Sequence, residues 1–223
     1  MAMILNLETA TTNCSVSIAK DGELVVLKED NSPNYSHSEQ LHIFIEQALK
    51  EASLTFKDIS AIAVSKGPGS YTGLRIGVSA AKGLCFSLDL PLIAVPTLES
   101  LAVQGYGQGY DFVIPVLDAR RMEVYATIFS SDGKCLRETR AEIITPDSFK
   151  EYTAKGKVLL IGDGAEKCKG TLEHPNFSFI AAVPTARELG TISHKKYKAG
   201  TFENVAYFEP YYLKDFIMPG KKS

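Results

Sequence analysis

The order strand, strand, strand, helix, strand, helix runs twice along this chain. That repetition restricts the fold more than any single motif does. In the first copy, residues 3–7 read as a buried strand, and residues 14–19 and 23–28 alternate as two more. Asp21-Gly22 joins those two as a hairpin, because glycine tolerates the positive φ of a tight turn. Ser36-x-x-Glu39 has the form of a capping box and opens a helix to about residue 52, with an apolar stripe that includes Leu41, Phe44, Ile45 and Ala48. A strand at 59–65 leads through Lys66-Gly67-Pro68-Gly69 into a helix at 72–88. A strand at 92–95 and a short helix from Thr97 complete the copy. The second copy places strands at 112–117, 123–129 and 134–140, with Asp132-Gly133 repeating the hairpin turn. Thr145-Pro146-Asp147 opens its helix, strands follow at 158–161 and 177–180, and a helix spans 185–193.

The first strand of each copy ends in an acid, Glu8 and then Asp118. Agreement of order, acid and turn favours a duplication with its boundary near Gly105, Gly107 and Gly109. The expected lobes are residues 1–104 and 105–204, with 205–223 able to pack back on the first. Two lobes of mixed sheet with flanking helices place strand-end acids beside a cleft. This is the layout of the actin/hexokinase class, the ASKHA proteins, with its duplicated ribonuclease H-like α/β fold. In that class such acids hold a metal-bound nucleotide phosphate, and glycine turns meet phosphates through backbone N–H groups.

Composition removes several alternatives. The 223 residues are 45% hydrophobic and 22% charged, with a net charge of −2. No long basic run is present, which argues against the chain gripping nucleic acid alone, since Lys and Arg supply most of that affinity. Cys14, Cys85, Cys135 and Cys168 are scattered and form no C-x-x-C pair, so they read as free thiols in a reducing cytoplasm. No secretory leader is visible, and no apolar stretch nears the roughly 20 residues that span a bilayer. A cytoplasmic protein is the expectation.

The segment Gly67-Pro68-Gly69-Ser70-Tyr71-Thr72-Gly73 admits two readings. It opens a helix whose N-terminus favours anions, and its glycines equally suit a close-packed strand-to-helix turn. The helix it opens carries Gly73, Gly77, Ala80, Ala81 and Gly83. Each interior glycine disfavours helix by roughly 1 kcal/mol relative to Ala, so another backbone must come close, within the chain or across a subunit boundary. Glu8, Asp118 and Asp163 are the candidate catalytic acids, against a vestigial cleft formed by Glu8, Thr9, Gly69, Asp118, Gly162, Asp163 and Gly164. His37 and His42 are five apart, off the spacing that puts two ligands on one helix face, and no metal cluster is legible. Ser70 has no recognisable base near it.

Four segments together carry a family resemblance: Ile4-Leu5-Asn6-Leu7-Glu8-Thr9-Ala10; Gly67-Pro68-Gly69-Ser70-Tyr71-Thr72-Gly73-Leu74-Arg75-Ile76-Gly77; Leu117-Asp118-Ala119-Arg120-Arg121-Met122-Glu123-Val124-Tyr125; and Pro210-Tyr211-Tyr212-Leu213-Lys214. The chain resembles the TsaB family, also called YeaZ. The resemblance implies the actin/hexokinase-like fold and a non-catalytic, activating role in making threonylcarbamoyladenosine on tRNA, beside the anticodon. It implies pairing with the catalytic paralogue TsaD, contact with the ATPase TsaE, and tRNA met only through the complex. A homodimer through the same surface is implied when TsaD is absent. No cofactor is expected of this chain, ATP, ADP and Mg²⁺ belonging to its partners. The partner interface implied by the helix pattern and the family is Leu41, Phe44, Ile45, Ala48, Gly73, Gly77 and Ala81. Asp is usual in the family where Glu8 stands, and Arg where Lys214 stands; both changes keep the charge. Two rival readings remain: a small ATP-dependent kinase or carbamoyl transferase using Glu8 and Asp118, and a peptidase using Ser70 or a bound metal.

Overall fold

The structure, a computed structural model, describes residues 1–32 and 37–214. The expected cap at Ser36, the loop at Pro33 and the basic pair Lys221-Lys222 lie outside the described residues. The first sheet contains β1 (Met3–Glu8), β2 (Cys14–Lys20), β3 (Glu23–Asp30), β4 (Ala61–Gly67) and β5 (Leu92–Pro96), in the order β3-β2-β1-β4-β5. The second contains β6 (Phe112–Asp118), β7 (Glu123–Ser130), β8 (Cys135–Ile143), β9 (Val158–Ile161) and β10 (Phe177–Ile180), in the order β10-β9-β6-β7-β8. Within each sheet the first three strands are antiparallel neighbours, and the last two run parallel to the first. The two sheets therefore share one topology, as the repeated element order predicts.

Turn chemistry sets both hairpins. Asp21 and Gly22 have φ of 51° and 92°, the left-handed pair that a two-residue hairpin requires. Asp21 also accepts a hydrogen bond from the Ala2 N–H at 2.8 Å, tying the turn to the chain's start. In the second hairpin only Gly133 is left-handed, with φ of 82°, and its N–H donates to the Ser130 carbonyl.

Period-two alternation decides what covers each face. Leu5, Leu7, Val16, Ile18, Ile62 and Val64 point to one side of the first sheet, where α1 (His37–Glu51) and α2 (Tyr71–Leu88) cover them. Ile4, Ala61, Ala63, Ile93 and Val95 point to the other side and meet Leu189 and Ile192 of α6 (Ala186–Lys198). In sequence α6 falls within the expected second lobe, residues 105–204, but it packs on the first sheet. The reason is a matched surface, because the buried stripe Ala186, Leu189, Gly190 and Ser193 fits against β1 and β2. Gly190 lets the helix come so near that an added Cβ would stand 2.9 Å from the Ala19 methyl.

The exchange is reciprocal. The helix α3 (Thr97–Val103) follows the first sheet in sequence, yet Leu98, Leu101 and Ala102 join Val113, Leu117, Phe129 and Leu159 in the second sheet's core. On that sheet's outer face, Ile114, Val116, Val124 and Ile128 pack with Phe149, Ala165, Cys168 and Leu172. Phe149 precedes the short helix α4 (Lys150–Thr153), Ala165 and Cys168 lie in α5 (Ala165–Lys169), and Leu172 follows it. The chain then returns: the Glu203 N–H donates to the Leu92 carbonyl, Val205 and Phe208 join the first sheet's core, and the Tyr211 N–H donates to the Lys66 carbonyl at 2.7 Å.

Candidate functional site

The acids expected at the cleft are present at the ends of their strands, but each is already engaged. Glu8 ends β1 on the face that α6 covers and is fully buried. Its Oε1 accepts the Ala10 N–H at 2.6 Å, while Oε2 has no hydrogen-bond partner. Burial pushes the carboxyl up to about 7, against the opposing pull of the Ala10 N–H. A group so placed carries its proton part of the time near neutral pH and lies out of reach of solvent.

Asp118 lies at the other lobe's strand end. Its backbone N–H donates to Asp163 Oδ1 at 2.9 Å, and Oδ1 of Asp118 accepts from the Arg120 N–H at 2.7 Å. The same oxygen pairs with Lys167 Nζ at 2.5 Å. The Lys167 ammonium also donates to the Arg121 and Glu123 carbonyls, at 3.0 and 2.5 Å. A fixed lysine thus stands against the carboxylate that would meet a metal. Sequence reasoning missed it; its only signal was a lysine four residues after Asp163 in a helix too short to show periodicity. Gly162, with φ of 141°, and Gly164 serve packing: side chains there would run into the Val116 carbonyl and the Asp118 backbone. Among the described residues no group of three or more His, Cys, Asp or Glu side chains is arranged to hold a metal ion.

The glycine-rich turn is closed in the same way. A side chain at Gly69 would collide with the Ala10 carbonyl, and the Ser70 N–H donates to that carbonyl at 2.7 Å. Ser70 caps α2, its Oγ accepting the Gly73 N–H at 3.2 Å. Thr9 Oγ1 donates to the Gly73 carbonyl at 2.8 Å. Buried His37 holds the far side of the turn, its Nε2 lying 2.7 Å from the Thr11 carbonyl. The amides of Ser70 and Gly73 that a phosphate would seek are therefore used by the chain itself, which matches the close-packed reading of this turn.

Most of the expected interface residues face inward in this chain. Gly73 and Gly77 face Thr9, whose carbonyl and hydroxyl oxygens occupy the space a Cβ would need. Leu41, Ile45, Ala48 and Ala81 are buried in the first sheet's own core. Of the seven, Phe44 alone keeps appreciable exposure. The outer face of these two helices is made by other residues: Ile43 on α1, and Tyr71, Arg75, Ser79, Gly83 and Phe86 on α2. Phe86 is 86% exposed and nothing lies within 4 Å of a Cβ at Gly83, so the C-terminal part of α2 leaves room for a close neighbour.

Two five-stranded sheets of one duplicated topology, each with an acid at the end of its first strand, define a two-lobed protein of the actin/hexokinase-like class. The family model described as TsaD, tRNA N6-adenosine threonylcarbamoyltransferase, matches residues 32–207. The curated TsaB protein of Buchnera aphidicola is 30% identical, over 75% of this chain and 81% of that protein. The chain belongs to the family this model describes and, within it, to the TsaB (YeaZ) group. The Escherichia coli K12 TsaB protein is 28% identical across 98% of this chain and 99% of its own length. The solved YeaZ structure from Pseudomonas aeruginosa superposes with a TM-score of 0.82 at 27% identity, covering 96% of this chain and all of that one.

Proposed function

We propose that this chain is a non-catalytic, activating subunit of a cytoplasmic machinery that builds threonylcarbamoyladenosine on tRNA. The relatives that match it along most of its length are named tRNA threonylcarbamoyladenosine biosynthesis proteins. The observation that carries the non-catalytic part is the pairing of Lys167 with Asp118, together with the sealing of the Glu8 carboxyl from solvent. A phosphoryl-transfer centre needs a cation held between such acids. Here one acid already has a fixed cation and the other lies beneath α6. Nucleotide and Mg²⁺ are then handled by partner subunits, and tRNA is met through the complex. The likeness to the family supports a TsaD-type paralogue as the direct partner and a TsaE-type ATPase as the third member. A homodimer would use the same surface when the paralogue is absent.

The outer face of α1 and α2, with Ile43, Tyr71, Ser79, Gly83 and Phe86, is the surface assigned to TsaD. Activation on this reading is a population shift: the chain binds the working conformation of TsaD more tightly than its resting one. Reconstitution with TsaD, TsaE, the threonylcarbamoyl-adenylate synthase and unmodified tRNA tests the role. Product is expected only when this chain is added; equal product without it overturns the proposal. Phe86→Asp combined with Ile43→Asp is expected to abolish TsaD pull-down while leaving the melting temperature within a few degrees of wild type. Undiminished pull-down would move the interface elsewhere.

A further inference from the structure

A cavity of about 360 Å³ lies where the C-terminal ends of β4 and β5 meet the β7–β8 hairpin, and the returning chain at Tyr211 forms one wall. It is separate from the cleft of Glu8 and Asp118. On the second sheet its wall includes Phe129, which pairs with Val113 near the start of β6, whereas Asp118 ends that strand. Its volume is at the small end of the range of about 300–1,000 Å³ typical of small-molecule sites.

The lining has a definite chemistry. Lys66 enters from the first lobe, and no hydrogen bond or ion pair to its ammonium is formed among the described residues. Glu99 also enters from the first lobe and Glu138 from the second. Glu99 is half-buried, and burial raises its carboxyl against the pull of the Lys196, Lys195 and Lys66 charges, with no hydrogen bond to it among the described residues. The Thr127 and Thr139 hydroxyls lie 2.7 Å apart; one donates to the other, which leaves a second O–H for a ligand. The Phe129 and Tyr211 rings supply apolar walls. Gly67 and Gly133, both at positive φ, also line the cavity, and Gly67 packs so closely on the returning chain that a Cβ there would stand 2.6 Å from the Tyr211 carbonyl.

Two carboxylates against one ammonium disfavour a polyanion such as a nucleotide. An uncharged apolar ligand would desolvate Lys66 and Glu99 without pairing either. A small molecule with both signs of charge satisfies both. We propose that this cavity binds a free amino acid, its carboxylate on Lys66, its ammonium between Glu99 and Glu138, and its side chain against Phe129 and Tyr211. Because the walls come from both lobes, the bound amino acid would hold them together. This proposal stands apart from the role proposed above and would survive its failure.

The test is calorimetric titration of the full chain with each of the twenty L-amino acids, with methyl esters and N-acetyl derivatives of any that bind, and with Mg-ADP. At least one amino acid is expected to bind with a Kd below about 1 mM. Glu99→Gln and Lys66→Met, which change charge with little change of shape, are each expected to weaken it about tenfold or more, as are esterification and N-acetylation. Amide shifts of Gly67 and Gly133 in the wild-type chain should report the same binding without any variant. The proposal is overturned if no amino acid binds at millimolar concentration, if Mg-ADP competes for the site, if either variant or either derivative binds undiminished, or if those two amides do not respond.

Discussion

At the scale of single residues, three glycines of one helix behave in opposite ways. Gly73 and Gly77 press against Thr9, whereas Gly83 faces open space. Gly73→Ala and Gly77→Ala should each destabilise the chain by about 1–3 kcal/mol, because the colliding atoms belong to a buried turn that cannot withdraw. Gly83→Ala should stabilise it by roughly 1 kcal/mol through helix propensity alone. Urea denaturation of the three variants checks both signs, and equal effects at all three would refute the assignment. The sequence showed that something must approach this helix closely, but a glycine records only the missing side chain. It does not say whether the approaching backbone is its own chain's or a neighbour's; within this chain it is Thr9 that approaches both Gly73 and Gly77. Glu8 makes a second residue-scale prediction. Its carboxyl is raised above the ordinary value of 4.5 to about 7, so the folded state binds its proton more tightly than the unfolded state. The stability gained by keeping Glu8 protonated is full below about pH 4.5 and is lost as pH rises through 7. Glu8→Gln should therefore be more stable than wild type at pH 8.5, by on the order of 1–3 kcal/mol, with the difference shrinking toward pH 5. Melting curves across that range decide it; a constant difference would mean Glu8 does not titrate there.

At the scale of elements, what could be read was what repeats locally. Alternating strands joined by Asp-Gly pairs announced both three-stranded meanders, since turn residue and strand period act over a few positions. Helices without a long apolar stripe were harder. Thr145-Pro146-Asp147 was read as a helix start, but the helix there is only Lys150–Thr153. Phe149, at φ 63°, breaks the run just before it, and its buried ring packs in the second core instead. The helix Ala165–Lys169 was not foreseen at all, having only Ala165 and Cys168 to bury. Yet it delivers Lys167, which staples the β6–β7 turn where Arg120 and Arg121 both have positive φ. Lys167→Met should cost about 1 kcal/mol, a modest figure because Asp118 is partly open to water, and should speed hydrogen exchange at Glu123 more than elsewhere. Uniform exchange changes would mean the lysine is not a local staple.

At the scale of the whole molecule, the candidate cleft was legible in outline and closed in detail. Acids at paired strand ends follow from a duplicated order; whether they remain available depends on Lys167 and α6, which meet them only in three dimensions. The two lobes are also bound by the returning chain. Tyr212 stacks beside Tyr71 with ring centroids 4.9 Å apart, and Lys214 pairs with Glu123 on the second sheet. Above all, each sheet borrows a helix from the other half of the chain. The covering of Ile4, Ala61, Ala63, Ile93 and Val95 by Leu189 and Ile192 joins residues nearly the whole chain apart. During synthesis the first half therefore leaves the ribosome with one side of its sheet bare and must wait for α6 to emerge. A nascent chain stalled before α6 would be a client for chaperones, not a folded lobe.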